Sequence, residues 1–464
     1  MGEQAEHKDA VSIEREGWLA SISVYFRPMP LVAFLLGISS GFPLTLLLAT
    51  MTYWLSKVGI EKSTIGFAIG LTTPYTLKFL WAPLVDRIEI PILTRLFGQR
   101  RAWLFTIQTL LFGALWGLGN SQPELGLGTF AFWAICVAFL SATQDIVIDA
   151  YRIEILPDAE LPHGTAMNQF GYRTGNLWAG IGTIWLYSPT DGLNLGWGLA
   201  YGITGLAVLP AAIGALFAGP GLHRAASRAA GMRAGQWLRE TVIDPFAEFL
   251  QRKGAVLILL FVLIYKLGDA MGQGMLNPMI VDLGFTDAEY IAVNKLIGFW
   301  ALIVGTAIGA PFIARLGMGR ALVVSGVLMM VSNLGFAAVA LAGHSPTMLG
   351  IAVGIENFTS GIGLTVFVTY LSGLSNLAYT ATQFALLSSV AAVGRTWLAA
   401  PSGILAEELG WFGFYVLTMI VALPGLVVLW ILWRRGFVVE KARQPGAQAD
   451  PQSVGNTGSA SAPA

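Results

Sequence analysis

A single cysteine, Cys136, stands in the 464-residue chain. A lone thiol closes no internal disulfide, so a disulfide scaffold is excluded and the redox compartment is left unread. Charge is also scarce: Asp, Glu, Lys and Arg make up 12% of the residues and cancel to a net charge of zero, which by itself says nothing about partners. The four histidines, His7, His163, His223 and His344, all fall in predicted tails or loops, and this excludes a buried histidine relay. No G-x-x-x-x-G-K-[ST] cradles a nucleotide and no H-E-x-x-H binds zinc. The run Gly37-Ile38-Ser39-Ser40-Gly41 matches G-x-S-x-G in form, but a nucleophile elbow needs a strand-to-helix turn and a partner histidine. Within an apolar helix the two glycines are better explained by close packing on a neighbour. Nothing here calls for a cofactor, a metal or a nucleic acid.

What is abundant is apolar. Hydrophobic residues make up 55% of the chain and the mean hydropathy is +0.66, outside the range of soluble domains and typical of a polytopic membrane protein. Fifteen Trp and 55 Gly suit the same class, since Trp anchors helices at the interface and Gly lets helix backbones approach in lipid. G-x-x-x-G pairs recur at Gly37/Gly41, Gly66/Gly70, Gly171/Gly175, Gly268/Gly272 and Gly305/Gly309. Residues 1–30 are polar and charged around Trp18 without a signal-peptide pattern, and are expected to form a cytoplasmic tail. Spanning runs are predicted at 31–54, 64–84, 102–118, 127–151, 164–187 and 197–218, then at 254–280, 291–313, 321–342, 348–371, 383–405 and 412–433. The chain is therefore read as all-α, with two six-helix halves at 31–218 and 254–433.

With the N-terminus inside, twenty Lys and Arg fall in inner segments and two, Lys57 and Lys62, in outer loops. Both termini are then cytoplasmic. Ala82-Pro83-x-x-x-Arg87 recurs as Ala310-Pro311-x-x-x-Arg315, and Tyr172-Arg173-Thr174 meets Gly394-Arg395-Thr396 at the matching place of the second half. Two parallel six-helix repeats make the major facilitator fold, which binds its substrate between the halves near the midplane. The connection 219–253 carries six basic residues among Met232, Trp237, Leu238, Val242 and Phe246, the pattern of an amphipathic helix on the inner membrane surface. The tail 434–464 turns rich in Ala, Gly, Pro, Ser and Gln and is expected to be disordered.

The stretch 141–152, SATQDIVIDAYR, closes an apolar run with Asp145, Asp149 and Arg152 on one helix face. A carboxylate at membrane depth costs about 3 kcal/mol, so both acids should point into protein or water. Asp145 lies deeper and has no basic residue one turn along its own helix, which marks it as the principal proton carrier. Nine ionisable groups fall inside predicted helices: Lys78, Asp145, Asp149, Arg173, Lys266, Asp269, Lys295, Glu356 and Arg395. At about 3 kcal/mol each they would oppose insertion by about 25 kcal/mol if they faced lipid, so they should share a polar interior. Lys266, Asp269, Gln273 and Asn277 form a stripe ending where Pro278 should disrupt the helix, while Gln169, Arg173 and Asn176 form a shorter one. Lys266 and Asp269 can equally form a permanent pair, and Asp149 with Arg152 a structural one. Glu356 is followed by Asn357 and Ser360. Proton carriers are thus sought among Asp145, Asp149, Asp269 and Glu356, and anion-holding cations among Arg173, Lys266, Lys295 and Arg395.

Several longer motifs carry a resemblance. Residues 75–83 (YTLKFLWAP), the 141–152 stretch, Gly171-Tyr172-Arg173, residues 265–271 (YKLGDAM), Glu356-Asn357-Phe358-Thr359 and residues 381–387 (ATQFALL) closely resemble the AmpG family of muropeptide permeases, with similarity from about Leu31 to Trp433. Asp86-Arg87 followed by Gly98-Gln99-Arg100-Arg101 also resembles the facilitator loop signature D-R-x-G-R-R, stretched by an insertion holding 88–97. That likeness implies an inner gate held by charges, with Asp86, Arg87, Arg101 and Arg315 as its candidates. The family resemblance implies a proton-driven inner-membrane importer of anhydromuropeptides for peptidoglycan recycling, powered by the proton motive force. Such import would feed β-lactamase induction where that circuit exists. Gln144, Arg173, Lys266, Gln273, Asn357, Arg395, Lys295, Tyr75 and Lys78 are the candidate substrate contacts, and a monomer in the bilayer is the expected unit. A carrier of another anionic conjugate such as acetyl-coenzyme A, a membrane-embedded cell-wall enzyme and a non-transporting receptor are the other readings weighed.

Overall fold

The computed structural model describes residues 22–60, 73–190, 192–221, 243–286 and 292–438, with the single residues Arg239 and Glu289. In chain order the helices are α1 (Pro28–Lys57), α2 (Thr73–Leu77, Lys78–Leu80 and Ala82–Arg87), α3 (Gln99–Asn120), α4 (Leu127–Ile155) and α5 (Leu161–Leu177 continued by Trp178–Gly182 and Thr183–Tyr187). They continue as α6 (Gly196–Ala218), α7 (Ala255–Asp282), α8 (Leu296–Leu316), α9 (Met318–Ala342), α10 (Pro346–Leu374), α11 (Leu377–Leu398) and α12 (Ser402–Arg434). Ten of these are long and apolar enough to cross a membrane by composition alone. The eleventh, α5, spans a similar length but carries Gln169, Arg173 and Asn176, and the twelfth, α2, is described only over its second half. Gly66/Gly70, most of the 219–253 connection and the tail beyond Val438 lie outside the described residues. Of the connection, the short helix Asp244–Leu250 is described.

The breaks differ from expectation in three places. Pro278 does not disrupt α7: the helical segment Leu267–Asp282 runs through it, and the break falls earlier, at Tyr265 and Lys266. Membrane helices tolerate the one hydrogen bond that a proline removes, since local adjustment re-satisfies the freed carbonyl. α11 begins at Leu377 rather than 383 and stops before Ala399-Ala400-Pro401, while Gly410, at φ 64° and ψ 167°, divides α12 into a short leading helix and the span proper. His163 is not in a loop. Pro162 takes an opening position of α5, so the helix starts at Leu161 and buries His163, at 4% exposure, against Tyr25.

Small residues set the tightest packing. A Cβ at Gly37 would overlap the Asn168 carbonyl, one at Gly41 the Tyr172 carbonyl, and one at Gly171 the Phe34 carbonyl, so α1 and α5 meet backbone to backbone. The second half repeats the device at the matching pair, where a Cβ at Gly394 of α11 would overlap the Leu263 carbonyl of α7. Ser39 lies in this packing and donates to Ala207 O at 2.7 Å, as a helix-packing residue and not a nucleophile.

The halves close on each other at one end. Ala381 and Ala385 of α11 sit in an apolar cluster with Ala82, Val85, Ile146 and Ala150, while Ile153 of α4 joins the second-half core and Tyr25 packs with Ala166 and Ala310. Large apolar side chains such as Trp116, Phe132, Trp185, Trp300 and Trp430 face outward, as a lipid-facing surface requires.

Candidate functional site

α4 brings its two acids to the centre, and neighbouring helices surround them. The Ser40 hydroxyl of α1 donates to Asp145 Oδ1 at 2.6 Å. Lys78 of α2 stands 3.8 Å from Asp149 and within electrostatic range of Asp145, and Arg152 lies 3.6 Å from Asp149. The isolation of Asp145 from cations therefore holds along its own helix only: Lys78 reaches it from α2, where the helix narrows at residues 78–80. Two carboxylates face two cations. At 3.8 Å and an effective dielectric constant near 20 the Lys78 attraction is about 4 kcal/mol, comparable with the several kcal/mol that desolvating each ion costs. A pair so near break-even can exchange partners. Tyr75 closes the group through a 2.6 Å hydrogen bond with Ser141.

The second-half group is built on the break in α7. Lys266 caps the helix that starts at Leu267, and Asp269 in its first turn pairs with Lys266 at 3.1 Å and accepts from Ser360 of α10 at 3.2 Å. Glu356 of α10 is 1% exposed, with Asp269, Gln273 and Lys266 around it and Tyr415 within electrostatic range. Lys266 thus lies beside both carboxyl groups.

Tyr172 of α5 lies near charged residues of both halves. It is within electrostatic range of Asp145, Asp149 and Arg173 in its own half and of Arg395 across the seam, and Arg395 is in turn within range of Asp269. Arg173 and Arg395 take part in none of the ion pairs or hydrogen bonds found among the described residues.

At the closed end Asp86 collects donors from both halves. Arg100 Nη2 donates to it at 2.6 Å from α3, and across the seam the Thr382 N–H (2.8 Å), the Thr382 hydroxyl (2.6 Å) and the Ala381 N–H (3.3 Å) donate from the start of α11. The inserted residues 88–97, with the short helix Leu93–Phe97, loop out and leave this meeting intact. Arg100 also grips Glu154 at 2.8 Å. Arg152, wholly buried, reaches Thr165 at 2.8 Å, Ser372 of α10 at 3.2 Å and the Phe384 ring at 5.6 Å. Arg87 lies over the Tyr379 ring at 5.7 Å, and the Tyr25 hydroxyl donates to Ala307 O at 2.6 Å.

Of the other candidates, Gln144 turns into the α1–α4 packing, 0% exposed and donating to Ser39 O at 2.6 Å. The residue next to Asp145 on a helix points about 100° away from it, so both cannot face the centre. Asn357 donates to Val353 O of its own helix, Gln273 is exposed beside Glu356, and the Lys295 side chain lies outside the described residues. Arg101 pins the end of α6 by donating to Gly219 O at 2.6 Å, and Arg315 sits exposed in the last turn of α8. Sequence reasoning named Ser360 beside Glu356 but left Ser40, Tyr172 and Thr382 out of the site. Single hydroxyls in apolar runs carry no periodic signal, though Tyr172 stands beside Arg173 in a motif already singled out.

Comparison with known proteins follows the same lines. A family model described as acetyl-coenzyme A transporter 1 matches residues 31–124. The chain is 35% identical over 409 residues to the anhydromuropeptide permease of Escherichia coli (strain K12), covering 88% of this chain and 80% of that protein. It is 35% identical over 399 residues to putative transporter AmpG 4 of Rickettsia conorii, covering 86% and 95%. In three dimensions it matches the proton:xylose symporter XylE, with a TM-score of 0.63 at 14% identity over 89% of this chain and 96% of that one. FucP in its outward conformation gives 0.63 at 14% identity over 89% and 99%. At such identities the structures speak for the fold alone, the major facilitator fold of twelve helices in two halves.

Proposed function

The chain belongs to the AmpG family of anhydromuropeptide permeases, a membrane transporter and not an enzyme, and from that premise we propose that it imports anhydromuropeptides across a bacterial inner membrane in symport with protons. The observation that supports the reading is that Arg173 and Arg395, one from each half, both lie within electrostatic range of Tyr172, with a group of carboxyls in each half nearby. A muropeptide offers several carboxylates and many hydroxyls. Guanidinium forks suit the former and Tyr75, Tyr172, Gln273 and Asn357 the latter. Asp145 is the principal proton carrier: the Ser40 hydroxyl and Lys78 favour its charged form, central burial favours its neutral form, and alternation between the open ends changes the balance. Glu356, buried beside Asp269, Lys266 and Gln273, is the second candidate for the proton.

The excess of basic residues in inner segments supports cytoplasmic termini. Residues 1–30, the connection 219–253 and the tail 434–464 are then cytoplasmic, the closed end is the inner gate, and the site opens to the periplasm. A monomer suffices, since both halves are on one chain. The test is uptake of labelled anhydromuropeptide into proteoliposomes with and without an inward proton gradient. Asp145→Asn, which imitates the protonated acid, should abolish accumulation and keep exchange. Accumulation by Asp145→Asn against a gradient would move the proton role to Glu356. The match of residues 31–124 to the acetyl-coenzyme A transporter model favours one alternative cargo: competition by acetyl-coenzyme A at muropeptide-like concentrations would support it.

A further inference from the structure

The motif at residues 381–387, ATQFALL, supplies Ala381 and Thr382 to Asp86, but its third residue, Gln383, has no part in the transport chemistry or in the Asp86 contact. Gln383 is 0% exposed, and both ends of its amide are engaged. Its Oε1 accepts from the Asn376 N–H at 2.7 Å and from Arg252 Nη2 at 3.1 Å, while its Nε2 donates to the Glu248 carboxylate and to Pro245 O at 3.3 Å. Arg252 donates to both Glu248 oxygens at 2.9 Å and to Leu374 O, the last residue of α10, at 2.6 Å. Pro245 and Glu248 belong to the short helix Asp244–Leu250, where the connection between the halves rejoins the second half. Phe249 of that helix is buried in the second-half core, and Phe246 meets the ring of Phe79 on α2 edge-on with centroids 6.5 Å apart.

We propose that the helix Asp244–Leu250 is a latch of the gate, fastened to α11 through Gln383 and resting on α2 through the contact of Phe246 with Phe79. Thr382 and Gln383 are neighbours, about 100° apart on the helix. Asp86 therefore holds the first turn of α11 from one side, and the latch holds it from the other. The two attachments differ in strength. The second-half side has a buried amide, a carboxylate and a guanidinium in one hydrogen-bonded network, with Phe249 buried beneath, whereas the first-half side is one aromatic contact, worth about 1 kcal/mol beyond the area it covers. When the gate opens, the latch travels with α11 and the Phe246–Phe79 contact parts. Without the latch the start of α11 keeps Asp86, the Arg87–Tyr379 contact and the packing of Ala381 and Ala385 on the first half, but loses the buried Gln383 network, and the closed state loses population.

Two measurements test this. In a Cys136→Ser background, Phe79→Cys with Phe246→Cys is bridged by a short bifunctional methanethiosulfonate in proteoliposomes. The bridge should stop substrate exchange and a reductant should restore it; exchange that continues at full rate while bridged refutes the latch. The second needs no substrate, so its failure is distinct from a wrong choice of cargo. Ser375→Cys, at a residue 1% exposed in the turn between α10 and α11, is alkylated in purified protein. Gln383→Leu should speed alkylation about tenfold, the equivalent of a hydrogen bond to a charged group. Combining Gln383→Glu with Glu248→Gln exchanges amide for carboxylate beside Arg252 and should return the rate toward the parent. A Gln383→Leu rate within about twofold of the parent overturns the proposal.

Discussion

Replacing Asp86 by Ala gives the sharpest test of how the gate is held. Three donors reach its carboxylate across the seam, at 2.6 to 3.3 Å, and the carboxylate is 3% exposed. Each hydrogen bond to a charged acceptor contributes about 1.5 to 3 kcal/mol when removed singly. Bonds that share one acceptor are not additive, so about 3 kcal/mol is a fair total for the inter-half part. Arg100 keeps Glu154 at 2.8 Å, so its charge is not stranded inside the first half. The loss thus falls on the closed state and not on the fold, and it shifts the closed-to-open ratio by about two orders of magnitude. Asp86→Asn keeps an acceptor oxygen and should shift it about tenfold, and Thr382→Val, which deletes the 2.6 Å hydroxyl bond alone, by a similar amount. The assay is alkylation of Ser375→Cys in the Cys136→Ser background, with thermal unfolding as the control for folding. An Asp86→Ala protein that unfolds at the parent temperature yet labels at the parent rate would refute the claim that Asp86 holds the gate.

Three further outcomes follow. Arg173→Lys and Arg395→Lys should each raise KM for uptake about tenfold at normal expression, because a point charge cannot reproduce a bidentate fork; equal loss of folded protein would indicate a structural role. Gly41→Leu should lower the melting temperature in detergent through about 3 kcal/mol of overpacking, since even a Cβ there overlaps the Tyr172 carbonyl. Cysteines replacing Asn120 and Asn194 should react with an impermeant thiol reagent in intact spheroplasts and one replacing Arg95 should not, and the reverse pattern would invert the orientation.

The spans were legible in the sequence because lipid imposes one requirement, a long apolar run, on every helix that crosses it. The predicted 127–151 and 197–218 lie within Leu127–Ile155 and Gly196–Ala218. The misplacements have local causes. The polar ends of α5 and α11 do not register on a hydropathy scale, and Pro278 was weighed without the tolerance that membrane helices have for proline. The central acids and cations were legible for the same reason as the spans, since a charge at depth is costly wherever it occurs. Their partners were not. That Lys78 reaches Asp149, that Ser360 donates to Asp269 and that Tyr172 lies near charged residues of both halves depends on which helices are neighbours, and one helix's periodicity carries no record of the next.

Site and gate share helices, and this is how a proton or a ligand at the centre can reach the seam. α4 carries Asp145, Asp149 and Arg152 on one face, and seven residues at 1.5 Å per residue separate the first from the last by about 10 Å. Arg152 is held by Asp149 above and by Thr165, Ser372 and the Phe384 ring below, so a change of charge at Asp149 alters the hold of Arg152 on the second half. α11 runs the other way: Thr382 and Gln383 lie in the gate and its latch, while Arg395 sits in its last turns near Tyr172 and Asp269. On the proposed function, a substrate carboxylate that drew Arg395 toward Arg173 would pull on the far end of the helix whose near end Asp86 grips. On that proposal the two ends of α11 are alternatives, since a tilt toward the ligand would draw its first turn off Asp86.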